Sequence, residues 1–351
     1  MNIELQPSQS LRLLLATLGT ALLILSLQAM ATLLNPILIG LVLAMICIPA
    51  IDWLRRKNVP TVLAVILVIV GLLVIGLLFV GIVGLSMGQI SEKLPVYQAR
   101  LEQIQTNSAA WLAGLGIPVS TEAIEASPVG GRSIIQLISF LLGAVGKVVA
   151  QSLLILGITV FAIIESLLLS AKIETSSLKN SHLATQTTNF MGSIQNYLVL
   201  KTWISLMTGA VVLVFLLVMR IDFALLWALL AVILNYIPSI GSILASIPAI
   251  FIALMQYDLQ TAVIIGLGYW IINYAIGWGI EPRVMGRGLN LSILTVFLSL
   301  IVWAWILGPV GMFMSLPLTV LLKYILESFD DTRWLALLLS DRPPDATGTR
   351  V

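Results

Sequence analysis

The side chains able to bind something small gather at two breaks in otherwise apolar sequence. The first break reads Asn235-Tyr236-Ile237-Pro238-Ser239-Ile240-Gly241-Ser242, and the second Leu307-Gly308-Pro309-Val310-Gly311, with Ser315 one turn further on. Amides and hydroxyls supply neutral donors and acceptors. Pro and Gly interrupt the helical ladder and leave backbone dipoles free. Asn235, Ser239 and Ser242, framed by Pro238 and Gly241, can contact a polar solute or satisfy backbone freed by a kink. Gly308, Pro309, Gly311 and Ser315 repeat the choice, with close helix packing as the glycines' other use. Asn273 lies in the apolar run between the breaks. It must be paired if buried, facing either the site or a second helix. Trp270 and Trp278 can stack on a ring or anchor a membrane surface. Glu281 and Arg283 flank Pro282. An acid near a membrane boundary can carry a coupling proton or cation; the spacing favours a salt bridge to Arg283 or Arg287.

Other chemistries lack their residues. Cys47 and His182 are the only cysteine and histidine, so a zinc or haem site is not expected and no intrachain disulfide can form. Gly143-Ala144-Val145-Gly146-Lys147 misses the spacing of a phosphate-binding loop. Paired aspartates, a Ser/His dyad and H-E-x-x-H are missing from the apolar runs. The sequence therefore reads as a non-enzyme without cofactor, and any transport would proceed without ATP hydrolysis.

The elements that must position these residues are membrane helices. The 351 residues are 59% hydrophobic and 10% charged, against about 25% charged in a soluble domain. Such a chain cannot coat itself for water, which excludes a cytosolic enzyme or nucleic-acid binder. A span needs about 20 apolar residues. Runs at 11–34, 37–54, 61–88, 148–169, 197–219 and 259–280 meet this. Residues 221–256 and 291–326 are each about 36 residues long and broken near the middle. Unwound backbone at membrane depth survives only against protein or a watery cavity. Each break is followed by S-x-P, Ser246-Ile247-Pro248 and Ser315-Leu316-Pro317. Paired broken segments in corresponding halves point to a transporter binding site. The expectation is an all-α polytopic bundle of about eight hydrophobic segments: six spans plus two re-entrant hairpins forming an inverted repeat.

The organisation follows. Residues 1–90 form a three-span scaffold, whose long first run reads as a retained helix. Residues 91–133 form an extracytoplasmic insertion, where Leu94, Tyr97, Leu101 and Ile104 make an amphipathic helix on a surface. Residues 134–196 hold an interfacial helix, the fourth span and a cytoplasmic linker. Residues 197–327 are the transport core, and 328–351 a cytoplasmic tail. Gly84 to Gly88 suggests close helix contact. Arg220 and Asp222 read as an interfacial pair. Placing Arg55-Arg56-Lys57 inside puts both termini in the cytoplasm. Five basic residues (Lys93, Arg100, Arg132, Lys147, Arg220) then fall outside and the remaining 13 of the 18 inside. Fully crossing breaks would give a weaker bias.

These segments resemble the autoinducer-2 exporter family of bacterial membrane proteins. The resemblance lies in Asn235 to Ser242 with Ile247-Pro248-Ala249, in Glu281-Pro282-Arg283-Val284-Met285-Gly286, and in Leu307-Gly308-Pro309-Val310-Gly311-Met312 with Ser315-Leu316-Pro317-Leu318. Asp222-Phe223-Ala224-Leu225-Leu226-Trp227 is similar to the stretch before the family's first break, and Pro36 to Pro60 to its second and third spans. Likeness is dense over 189–339. Glu165-Ser166 stands where many relatives carry a lysine/aspartate-rich motif. The resemblance implies a bacterial inner-membrane transporter exporting autoinducer-2, an oxygen-rich furanone-derived polyol or its borate ester. Some members are described as sodium(lithium)/proton antiporters, which is the alternative; a non-transporting scaffold is a remote one. The expected partners are a small polar solute, the bilayer and further copies in a homo-oligomer, with solute held between the two tips. Few membrane-embedded acids favour a neutral substrate. Replacing Asn235 or Gly241 is expected to abolish transport and spare insertion.

Overall fold

The computed structural model describes residues 9–115, 131–175, 182–238, 240–281, 283 and 291–341. Helix α1 is Gln9–Ala29, α2 Ala31–Arg56 and α3 Thr61–Gly114. Next come α4 Gly131–Ala150, α5 Ser152–Thr175 and α6 His182–Val218. The carboxy-terminal part holds α7 Ala224–Leu234, α8 Gly241–Gln256 and α9 Leu259–Tyr274, which runs on as a π-helical turn Ala275–Ile280. It ends with α10 Ile293–Leu307, α11 Pro309–Glu327 and the short α12 Arg333–Leu339. The described residues contain no strand. The protein is a polytopic helical membrane protein.

Five helices, in α2, α3, α6, α9 and α11, are long and apolar enough to cross a membrane. The α4 end and α5, bent by 58° between Ala150 and Ser152, make a sixth if counted as one span. Within α1 the apolar stretch Thr17–Ala29 is shorter. The first chain break falls at Met30 rather than at Asn35-Pro36. Pro36 is the sixth residue of α2, past its first turn, and leaves the Thr32 carbonyl without an i+4 amide.

Both broken runs turn back on themselves. Helix α7 has 11 residues and α8 has 16, about 16 and 24 Å, short of the 30 Å core. Their far ends meet. The Asp222 amide donates to Gln256 Oε1 at 2.9 Å, and Gln256 Nε2 donates to the Arg220 carbonyl at 3.0 Å. Arg220 and Phe223 take positive φ of 53° and 59°, closing this base in a tight turn. In the second hairpin Trp303 Nε1 donates to Thr319 Oγ1 at 3.0 Å. In one straight helix these residues would stand about 24 Å apart. The 22-residue stretch Leu259–Ile280, about 33 Å long, follows the first hairpin.

One glycine in each hairpin permits the fold-back. A Cβ on Gly241 would lie 1.7 Å from the Leu234 carbonyl oxygen, and one on Gly311 would lie 1.9 Å from that of Trp303. Each returning helix thus crosses the outgoing backbone at a point only glycine allows. Pro248 and Pro317 are buried six or seven residues beyond these glycines.

The main core surrounds the first hairpin, with Trp227, Leu230, Ala249, Ile265 and Tyr269 buried together. Helix α2 is the hub of the scaffold. It packs α5 at Gly40, whose carbonyl accepts from Thr159 Oγ1, and α6 where Gln195 Nε2 donates to the Met45 carbonyl. The amphipathic stretch is not a separate surface helix. It continues the third span without a break, so α3 runs 54 residues. Its apolar face docks on the base of the first hairpin: Tyr97 is buried, and Leu101 and Ile104 pack against the main core. Tyr97 Oη donates to Asp222 Oδ2 at 2.6 Å beside a Lys93–Asp222 ion pair of 2.5 Å. Arg100 reaches the Tyr257 carbonyl. Burial first, then the Asp222 carboxylate, pushes the Tyr97 phenol above its usual range, which keeps it a donor. Asp222 therefore pairs with Lys93 rather than Arg220. Gly84 and Gly88 meet nothing within 4 Å, so no helix packs at that motif within the described chain.

Candidate functional site

A cleft of about 800 Å³ opens beside the first tip. The chain between α7 and α8 supplies Asn235, Ile237 and Pro238, and the first turn of α8 supplies Ser242. Helix α9 and its π-helical end supply Tyr269, Trp270, Asn273, Tyr274, Trp278 and then Glu281. Lys201 enters from α6 and Leu316 from α11.

The polar groups are poorly saturated by the protein. Asn235 Nδ2 donates to Ser205 Oγ at 3.0 Å, and its carbonyl oxygen has no partner among the described residues. Asn273 Nδ2 bonds back to the Tyr269 carbonyl at 2.8 Å, so Asn273 ties no second helix. The Tyr269 hydroxyl is buried without a partner among the described residues. Helix α8 begins without a side-chain cap. The Gly241 amide bonds the Ile237 carbonyl and the Leu244 amide that of Ile240, and the positive end of the helix dipole lies beside Ser242. Trp270, Tyr274 and Trp278 stack along one face of α9, with centroids 5.6 and 6.2 Å apart. The arrangement suits an oxygen-rich solute with an apolar face.

One charged pair stands in this wall. Lys201 Nζ meets Glu281 Oε1 at 2.5 Å, with side chains 6% and 23% exposed. The π-helical turn shifts the register by which α9 presents Glu281; such turns recur at functional sites. The acid is paired across 80 residues of sequence, not with Arg283, which is exposed. Arg287 and Ser239 lie outside the described residues.

Asn235, Pro238, Ser242, Asn273 and Glu281 thus come together, as do Trp270 and Trp278. Gly241 adjoins the cleft but serves the crossing with Leu234. The second tip lies elsewhere. Gly308 turns the chain alone, with φ of 69°. Pro309 starts α11, where its missing amide costs little. Gly311 meets Trp303, and Ser315 is fully buried with its hydroxyl unpartnered among the described residues. The carbonyl end of α10 is capped by the scaffold: Gln28 Nε2 donates to the Trp305 carbonyl and Asn35 Nδ2 to that of Leu307. The hairpins still touch, since Tyr236 packs on Phe313 with centroids 4.4 Å apart. Tyr236 also shares a 2.6 Å hydroxyl bond with Thr202.

Sequence reading missed Lys201, Tyr269 and Tyr274 as site residues. Lys201 carried a usable signal: a lysine within the run 197–219 has to find an acid.

The family profile described as AI-2E family transporter matches residues 12–331. This chain belongs to the AI-2E transporter family. It is 35% identical over 311 residues to the AI-2 transport protein TqsA of Escherichia coli K12, covering 89% of this chain and 90% of that protein. It is 32% identical over 336 residues to a Haemophilus influenzae protein named "Putative transport protein", covering 94% and 96%. Against the E. coli K12 "Putative transport protein YhhT" it is 30% identical over 342 residues, covering 97% of each. The match spans all the AI-2E elements described above from the first helix to the second hairpin, so the cleft belongs to a membrane transporter.

Proposed function

We propose that this transporter exports autoinducer-2 across the bacterial inner membrane by alternating access, with its termini in the cytoplasm. The carrying observation is the set of unsaturated neutral groups at the first tip: Asn235, Ser242, the uncapped start of α8 and the unpartnered Tyr269 hydroxyl. A polyol brings hydroxyls that both donate and accept, so it can satisfy all of them at once. The name of the E. coli relative TqsA supports the same solute. In this reading the two hairpins, separated by one membrane-length helix, open on opposite faces, the geometry that alternating access requires. Residues 197–327 form the moving core. Residues 1–90 form a scaffold that joins copies in a homo-oligomer, a role supported by the exposed apolar face of α3 (Leu73, Leu77, Leu78).

A second reading is sodium(lithium)/proton antiport. The observation favouring it is the Lys201–Glu281 pair, since membrane-embedded ionisable groups commonly mark ion pathways. Efflux from vesicles containing purified protein separates the two readings. Autoinducer-2 and sodium are tested side by side, with and without a pH gradient. The export reading requires movement of autoinducer-2 whether or not sodium is present. Sodium-driven proton flux without movement of the signal would replace it with the second.

A further inference from the structure

Glu281 uses only half of its carboxylate on Lys201. Oε1 takes the ammonium, while Oε2 has no partner among the described residues and the side chain lines the cleft. We propose that this free oxygen is where solute and proton compete, so that solute leaves in exchange for a proton. The solute's identity rests on the export reading; the proton's site does not.

The chemistry is simple. A carboxylate accepts hydrogen bonds only, and a polyol hydroxyl is a donor. Charge-assisted bonds of this kind are stronger than neutral ones. While Glu281 is ionised, the solute hydroxyls have a strong acceptor in the cleft. One proton from the aqueous phase, added at Oε2, removes the charge and turns that oxygen into a neutral hydroxyl, which weakens its hold on the solute. No bond other than O–H forms or breaks. Loss of the proton on the other face restores the Lys201 pair and the solute site.

Lys201 is the positioning residue. It is 5% exposed and too deep to snorkel into water. Its ammonium holds Oε1 and so fixes which oxygen is left for the cleft. Among the described residues the other groups near Glu281 are these. Tyr197, also on α6, lies within electrostatic reach of it. Tyr269, Asn273 and Asn235 share the cleft and carry no charge, and Arg283 on the same stretch is exposed.

The test uses vesicles of the full chain with a pH dye inside. Proton movement is driven by an autoinducer-2 gradient, and solute counterflow is measured in parallel. Wild type is expected to move protons against the solute. Glu281→Gln, which keeps an acceptor oxygen but cannot exchange a proton, is expected to cut proton movement at least tenfold relative to counterflow. Lys201→Gln is expected to shift the pH midpoint of transport, with Lys201→Arg restoring it. Asp52→Asn, at the exposed Arg55–Asp52 pair, controls for charge loss and is expected to keep the wild-type ratio.

Solute movement by wild type without protons would overturn the proposal. So would a wild-type pH profile in the Lys201→Gln/Glu281→Gln double variant, the mark of a purely structural pair. If autoinducer-2 does not move, the same vesicles are given a sodium gradient. Proton movement lost in Glu281→Gln would then sink the export reading and uphold Glu281 as the proton site. Proton movement retained in that variant, or absent from wild type, would sink both.

Discussion

The two hairpins share an architecture and differ at their tips. Each returns through a glycine lodged against the outgoing backbone, Gly241 on Leu234 and Gly311 on Trp303, and each buries a proline further along. Yet the first tip sets Asn235, Ile237 and Pro238 beside a cleft of about 800 Å³, whereas the second turns on Gly308 alone and is sealed by Gln28 and Asn35. Both returning helices, α8 and α11, start without a side-chain cap. At the second tip scaffold side-chain amides also cap the carbonyls of α10. Two hairpins of one architecture thus differ in what their tips contact.

The largest effect should treat the hairpins alike. Gly241→Ala and Gly311→Ala each force a methyl into a backbone carbonyl. Each should cost at least about 1–3 kcal/mol, the usual penalty of overpacking. Thermal unfolding in detergent checks this; a large loss at only one glycine would break the structural equivalence. Gly241 thereby leaves the set of residues whose change spares insertion, and Asn235 remains in it.

The next contrast should separate the tips. Asn235→Ala is expected to lower solute transport at least tenfold with a stability loss of about 1 kcal/mol. Asn35→Ala removes the Leu307 cap and should cost about 1–2 kcal/mol while keeping solute affinity. Transport assays beside melting curves decide it. Equal loss of affinity in both variants would erase the distinction.

A finer test uses the unpartnered hydroxyls. Ser315→Ala, at a fully buried site, should stabilise by about 1 kcal/mol, since it removes an unsatisfied group. Tyr269→Phe should stabilise the empty protein by a similar ~1 kcal/mol and weaken solute binding several-fold. A Tyr269→Phe variant with wild-type affinity would take that hydroxyl out of the site.

The smallest effect lies at the first hairpin's base. Asp258 caps α9 by accepting from the Thr261 amide, which holds its carboxyl below the usual range. A lowered pKa stabilises above the ordinary carboxylate range and is lost as pH falls through the folded value. Acid should therefore fray the start of α9 in the wild type and not in Asp258→Asn. Hydrogen exchange at Thr261 and Ala262 reports it.

The sequence made the breaks legible because Pro and Gly mark them locally. Asn235, Ser242 and Asn273 were legible as polar residues stranded in apolar runs. What escaped was long-range. Lys201 and Glu281 stand 80 residues apart, so local spacing steers Glu281 toward Arg283 instead. The S-x-P echo suggested equivalent tips, but contacts with Gln28 and Asn35 decide which tip is sealed, and no local pattern encodes those. The α3 arm read as a surface helix because its apolar stripe has the same period whether it meets lipid or Tyr97's partner on the first hairpin.

The central claim is that solute meets the first tip and not the second. Cys47 is the only native cysteine, so Cys47→Ser gives a clean background for Ser242→Cys and, separately, Val310→Cys. The decisive measurement is the rate of thiol labelling with and without autoinducer-2. Slower labelling at position 242, with no change at 310, is the predicted result. Protection at 310 with none at 242 would contradict it.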